Sequence, residues 1–341
     1  MSNFIRIKMP EPVPKITVLM TVFNGGSYLV EAVDSILQQT MSDLELIVVD
    51  DCSTDSTEAV LADYMQRDDR VRVIRNTENL GPYPSANKGL QYARAPLIAR
   101  LDGDDIAQPD MLQRQFDFLN AHPDCLIVGG GYRSIEADGS PRYTRHNAMD
   151  FNTCAFVARI RMPMIHCFCF RARMPDGTPV RYDENLPIAG DYGLAAALAS
   201  SGLGASLSGI LIQYRMHATN ITSTKLDRQR HFAHAIASAA IGRHYPANIT
   251  DDLAALLDVF YRREEATTAR FRQALCGLDN AIAYDLGKGG NPAIKERAAG
   301  ILAEAFAKAL PLQFVCRAPH HLLPLAKRFA RLRNILSQRS I

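Results

Sequence analysis

The chain has 341 residues, which suits a catalytic α/β domain of roughly 200–250 residues with a smaller appendage. Apolar residues make up 47% and charged residues 22%, which excludes wholesale disorder and fibrous classes. A net charge of +2 is too balanced to imply a nucleic-acid partner. Seven scattered cysteines, none in a C-x-x-C pair, predict free thiols rather than a disulfide framework or a zinc site. The N-terminal segment lacks the apolar stretch of a signal peptide, so a cytoplasmic location is expected.

Strand and helix patterns alternate over the first hundred residues. Ile16–Met20 is a short apolar run rich in β-branched residues, as a covered parallel strand should be. Asn24–Ser27 turns the chain, and Leu29, Ala32, Val33, Ile36 and Leu37 repeat with helical spacing. Leu44–Val49 is a second buried strand ending in Asp50-Asp51, with N-cap residues at Ser53–Thr57. Val71–Ile74 reads as a third strand, Ser85–Ala93 as a helix and Leu97–Leu101 as a fourth strand. Polar residues cluster where these strands end, the side on which open parallel sheets bind ligands.

Beyond residue 106 the pattern loosens into a helix (Met111–Asn120), a strand (Leu126–Gly129), a turn at Ala137–Ser140 and strands around Cys167–Phe170 and Ile210–Arg215. Tyr192–Tyr214 carries no charged side chain, but its Ser, Gly and Ala content predicts a helix, a turn and a strand rather than a membrane span. After Leu226 almost everything reads as helix: His231–Arg243, Asp251–Tyr261, Glu264–Leu275, Asn280–Leu286 and Ala293–Ala309. A boundary near residue 225 therefore separates an α/β domain, 1–225, from a helical domain, 226–341.

Asp102-Gly103-Asp104-Asp105 follows the fourth strand directly. Three carboxylates so close repel one another, and a divalent cation such as Mn2+ or Mg2+ would relieve that repulsion. A solvated acidic turn capping the helix after Pro109 is the alternative. Asp50-Asp51 and Thr21–Asn24 end two neighbouring strands in the same way, and together they frame a pocket for a metal-bound nucleotide.

The series Ile16–Asn24, Ser35–Thr40, Ile47–Asp55, Asn87-Lys88-Gly89 and Arg100–Asp105 resembles the family-two inverting glycosyltransferases of the GT-A fold, over residues 15 to about 223. That resemblance implies a Rossmann-like, mostly parallel sheet flanked by helices, with the C-terminal helices as an extension. It implies that Thr21, Phe23 and Asn24 hold the nucleotide, that Asp51 bonds the base, and that Asn87 lies on the donor side. Asp102 and Asp104 match the family's D-x-D acids, Asp104 as the direct metal ligand and Asp102 toward ribose and metal water, with Asp105 behind them. Asp191 matches the catalytic base that takes the acceptor's proton; it is equally positioned to cap the helix that follows. His217, in Tyr214-Arg215-Met216-His217, matches a segment that could complete the metal shell, and His166 a histidine near the acceptor. Arg75 and Lys88 read as phosphate contacts or as solvated structural residues.

The chain departs from the family pattern where Gly190 replaces the acid before the base and Ala195 and Ala197 replace Trp and Arg. With no Trp and no membrane span, it resembles the non-processive bacterial members. The function implied is transfer of one sugar from a nucleotide-diphosphate sugar, UDP-linked, to a surface glycan or lipid-linked oligosaccharide. A catalytically degenerate scaffold and a sugar-nucleotide pyrophosphorylase are the alternatives, although Asn24–Ser27 lacks the Arg-containing glycine loop of the latter. Leu325, Phe329, Leu332 and Leu336 with Lys327, Arg328, Arg331 and Arg333 form a basic amphipathic stripe, which reads as an anionic-membrane or partner contact or as a packed terminal helix.

Overall fold

A computed structural model describes residues 12–306, apart from 147, 165, 219, 221–224 and 266. Nine strands form one mixed sheet in the order β3-β2-β1-β4-β8-β6-β9-β5, with β7 paired to β6. β1 (Ile16–Val22), β2 (Leu44–Asp50), β3 (Val71–Arg75) and β4 (Leu97–Arg100) run parallel. β8 (Cys169–Arg171) joins β4 antiparallel, and β6 (Ile127–Ile135) pairs in parallel with β9 (Gly204–Arg215). The short β5 (Ile106–Ala107) edges β9, and β7 (Pro141–Arg145) closes a hairpin on β6.

Strand alternation sorts the core into two faces. Ile16, Val18 and Met20 point to a layer built by α1 (Tyr28–Leu37), α2 (Thr57–Arg67) and α4 (Met111–Ala121). Leu19, Ile47, Val49 and Ile98 point the other way, toward α3 (Pro82–Leu90), α5 (Phe151–Ile160) and α6 (Gly190–Leu198). That second core continues without a break into α7 (Leu226–His244), α8 (Ala247–Leu257), α9 (Thr268–Gly287) and α10 (Ile294–Phe306). Residue 225 thus marks a change in element type, while the apolar layer runs across it. A buried polar cluster ties the two parts: Arg159 of α5 bonds Asp285 of α9 at 2.8 Å, and Tyr245 donates to the same carboxylate at 2.8 Å.

The uncharged stretch divides as expected into helix α6, a turn with Gly202 at φ 91°, and β9. Among the described residues no helix is long and apolar enough to cross a membrane. Three expectations need correction. α3 starts at Pro82 rather than Ser85, because proline is pre-organised for a first helical position. α5 has no counterpart in the sequence pattern. All its residues from Thr153 to Ile160 are buried, so it lacks the polar face that reveals a helix, although Asp150 caps it by accepting from Thr153 N–H. The two helices expected at 264–275 and 280–286 are one, α9. Gly277 lies inside it because a Cβ there would approach the backbone of Asp252 and Leu253 within 2.9 Å. The glycine permits close helix packing rather than a break. The segment from residue 307 onward, including the basic amphipathic stripe, lies outside the described residues.

Candidate functional site

The loops after β1 and β2 are stitched together. Asn24 N–H donates to Ser53 Oγ (2.9 Å), Gly25 N–H to Thr57 Oγ1 (3.0 Å) and Gly26 N–H to Asp55 Oδ2 (3.1 Å), while Asn24 Oδ1 accepts from Thr54 N–H (2.8 Å). Asn24 and Cys52 adopt left-handed backbone conformations at φ 53° and 66°, a strain that such cross-bracing sustains. Phe23 is left at the lip, 51% exposed. Asp51 is buried; its N–H bonds Val22, and its carboxylate accepts from Asn76 Nδ2 (2.8 Å), Leu80 N–H (2.9 Å) and Gly81 N–H (2.8 Å). Asp51 therefore holds the 76–81 loop against the strand ends.

Asn87, expected on the donor side, anchors a neighbouring segment. Its amide exchanges hydrogen bonds with the backbone of Tyr182 and donates to Glu184, so its polar atoms are spent anchoring the 182–184 segment. Lys88 donates to Asn76, and Arg75 pairs with Asp50 and, at the surface, with Glu58; both brace the loops behind the site.

The acidic cluster is organised by a residue to which the sequence reading gives no role. Arg100, at the end of β4, donates to Asp102 Oδ1 (2.7 Å from Nη2) and to Thr21 Oγ1 (2.9 Å), with its guanidinium over the Tyr182 ring. An arginine in an otherwise apolar strand, just before paired acids, is the signal that could have found it. Asp102 Oδ2 lies 3.2 Å from His166 Nε2, and the same nitrogen lies 3.0 Å from Asp105 Oδ2. Burial pushes the Asp102 carboxyl up, but Arg100 and His166 outweigh it and hold it below the ordinary range. Burial works against a charged His166 too, and the two carboxylates again win, raising the ring well above its usual value.

Asp104 points the other way. Its Oδ2 lies 2.9 Å from His217 Nε2 and 3.4 Å from Asn220 Nδ2, and His217 stacks on Tyr28. The fully buried Arg215 fixes this arrangement: its N–H donates to Asp105 Oδ1 (2.9 Å), its Nε to the Asp104 carbonyl (3.1 Å) and its Nη2 to Glu31 (2.9 Å). Asp104 lies beside His217 and Asp102 beside His166, so the two carboxylates face apart, but both are partly open to solvent and, with the His217 imidazole, are donor types that suit Mn2+ or Mg2+. Asp105, His166 and Cys167 also bring three ligand atoms within 4.8 Å of one another. That trio suits a hard cation poorly. Burial pushes the Cys167 thiol up to about 12 and Asp105 up to about 6, and Asp105 Oδ1 is already engaged by Arg215. It supports the open acids from behind.

Asp191 stands in the first turn of α6, just after Ala189 in a left-handed conformation (φ 66°). Its Oδ1 accepts from its neighbour's N–H, Tyr192, at 2.9 Å and from the Tyr83 hydroxyl at 3.3 Å. Tyr83 stacks on Tyr182, whose ring lies under the Arg100 guanidinium that holds Asp102, so one chain of contacts joins Asp191 to the acidic cluster.

Residues 17–175 match the family described as glycosyl transferase family 2. The chain carries a family 2 glycosyltransferase domain. An uncharacterized glycosyltransferase of Haemophilus influenzae is 27% identical over 241 residues, covering 66% of this chain and 73% of that protein. The succinoglycan biosynthesis protein ExoO of Rhizobium meliloti is 32% identical over 207 residues, covering 56% and 58%. The chain spans about half the length of several other relatives, between 42% and 50%. In fold the glycosyltransferase is similar to Staphylococcus aureus TarS 1–349 in complex with UDP-GlcNAc, with a TM-score of 0.58 at 18% identity over 95% of this chain and 92% of that one. A Pyrobaculum calidifontis mannosyltransferase in complex with GDP-Man and Mn2+ gives 0.52 at 17% identity over 95% and 88%. These likenesses establish the GT-A architecture, as the sequence resemblance implied.

Proposed function

We propose that this glycosyltransferase moves one sugar, with inversion, from a UDP-linked donor to a hydroxyl of a growing surface glycan or lipid-linked oligosaccharide. The observation that carries the reading is that Asp102 and Asp104 stand beside His166 and His217 at the strand ends, and that Asp191 is joined to them through Tyr83, Tyr182 and Arg100. Phe23 and Asp51 receive the base, and Thr21 and Asn24 hold the loop shape that admits it. Mn2+ or Mg2+ would be held by Asp104 with Asp102 and His217, and when bound it would supply charge neutralisation for the diphosphate.

Asp191 accepts the proton of the acceptor hydroxyl while that oxygen bonds the anomeric carbon from the face opposite the diphosphate. The anomeric C–O bond breaks, and the diphosphate leaves with the electron pair. A single base suffices, unlike the carboxylate pairs of hydrolases. TarS 1–349 is similar in fold and was solved with UDP-GlcNAc, which supports a UDP donor, and ExoO is named for succinoglycan biosynthesis, which supports a polysaccharide product. The 1–225 and 226–341 division stands as part of the same reading, with the helical part as a platform for acceptor or membrane.

The test is a panel of UDP- and GDP-sugars with and without Mn2+, read as protection against thermal unfolding. Transfer assays then follow with the stabilising donor and glycan acceptors. Asp191→Asn is expected to keep donor binding and drop transfer by roughly 10²–10⁴-fold. Donor binding without transfer to any acceptor would favour a degenerate scaffold instead.

A further inference from the structure

We infer that Tyr83 is the positioning residue for Asp191, standing where the family pattern would put an acid at position 190. The inference rests on the reading of Asp191 as the base. Gly190 is the starting observation. A Cβ there would lie 2.8 Å from Cγ and Cδ2 of the Tyr83 ring and 2.9 Å from Cε2. No side chain at 190 can coexist with that ring, so the missing acid and the tyrosine are one structural choice.

The ring also carries the donor. Tyr83 Oη donates to Asp191 Oδ1 at 3.3 Å, and Tyr192 N–H donates to the same oxygen at 2.9 Å. Among the described residues both hydrogen bonds to this carboxylate arrive at Oδ1, which orients Oδ2 for a proton from substrate. The separation is long for a hydroxyl on a carboxylate, as catalytic hydrogen bonds often are before substrate binds. Burial, then the charge of Asp191, push the phenol well above its ordinary pKa, so it remains a donor at neutral pH.

Two further contacts keep the ring in place. It stacks on Tyr182 (centroids 5.5 Å apart, planes at 26°), which in turn lies under the Arg100 guanidinium that holds Asp102. Tyr83 is also two residues beyond Gly81, whose N–H is bound by Asp51. The residue that orients the base is thereby built into the same loop that Asp51 clamps on the donor side.

The test uses the full chain, with the UDP-sugar that stabilises it most in the panel above as donor, UDP release as turnover and UDP as the binding probe. Tyr83→Phe keeps the ring and removes the hydroxyl. It is expected to lower kcat about tenfold, the worth of one hydrogen bond, with donor KM, UDP affinity and melting temperature unchanged. Added to Asp191→Asn, the same substitution should lower the residual rate no further, because its effect runs through that carboxylate.

Unchanged kcat, a rise in KM alone, or full additivity with Asp191→Asn would each overturn the positioning role. Near-normal transfer by Asp191→Asn alone would instead overturn the base and the inference with it. Gly190→Ala is an independent check. It should displace the ring and lower kcat, yet cost nothing more when Tyr83 is already Ala. A fully active Gly190→Ala would show that ring and side chain can coexist, contrary to the proposal.

Discussion

Asp102 and Asp104, with only Gly103 between them, face different partners. Asp102 is neutralised by Arg100, at the end of the strand before it, and by His166, whereas among the described residues the Asp104 carboxylate meets imidazole and amide groups from the segment after β9. A carboxylate lacking a guanidinium partner retains more attraction for an added cation. Asp104→Ala is therefore expected to abolish the Mn2+-dependent part of UDP-sugar affinity. Isothermal calorimetry with and without Mn2+ measures this, and unchanged affinity would refute the metal assignment. The two acids were legible as a pair, because carboxylates so spaced after a buried strand need an explanation. Their separate partners were not, since Arg100, His166 and His217 reach them across 2, 64 and 113 positions of chain.

The opposite end of the parallel strands is held by a charged cluster of its own. Glu45 on β2 is buried and accepts from Thr17 Oγ1 (2.6 Å), Arg94 N–H (2.8 Å) and Arg94 Nε (2.8 Å), joining β1, β2 and the α3–β4 loop. Burial pushes its carboxyl up, but these hydrogen bonds prevail and hold it below the ordinary value of 4.5. The sign follows from linkage. A depressed carboxyl contributes stability that is present above its unfolded pKa and lost as pH falls through the folded one. Glu45→Gln should cost about 1.5–3 kcal/mol at neutral pH, the range for hydrogen bonds to a charged group. The gap between the two proteins should narrow as pH drops below 4.5, where Glu45 of the unfolded chain takes up its proton first, and close once the folded carboxyl is protonated too. Urea midpoints at a series of pH values check this, and a gap that widens on acidification would contradict it.

At the scale of the molecule, the helices after residue 225 complete the core that the sheet begins. Phe271, Leu278, Leu302 and Phe306 are buried in the same cluster as Ile98 and Phe170. The tail beyond them belongs to the proposal, and its basic stripe has a direct test. Each cation near an anionic surface is worth about 1 kcal/mol, an attraction that salt screens. Deleting the chain from Leu325 onward is expected to leave the core folded and to reduce co-sedimentation with anionic vesicles at low salt. Full-length and shortened proteins should both sediment weakly at high salt. Equal sedimentation at low salt would remove the membrane role, and a large fall in melting temperature would identify a packed terminal helix.

The sequence by itself determined the parallel strands and their polar ends, and its motifs marked the acidic pair and the candidate base. Each is a local signal, a run of β-branched residues, a charge next to a buried strand, or a short motif. Tertiary structure alone decided the rest. α5 is hidden because a helix buried all round has no period to detect, and Gly277 reads as a break although it is a point of close approach. Gly190 looks like a lost acid until Tyr83, 107 positions earlier, is seen filling its space. Asn87 belongs to a donor-side motif in the sequence, yet its amide is spent on Tyr182 and Glu184. Which partner a polar group takes depends on what packs beside it, and that is set by the fold rather than by its neighbours in the chain.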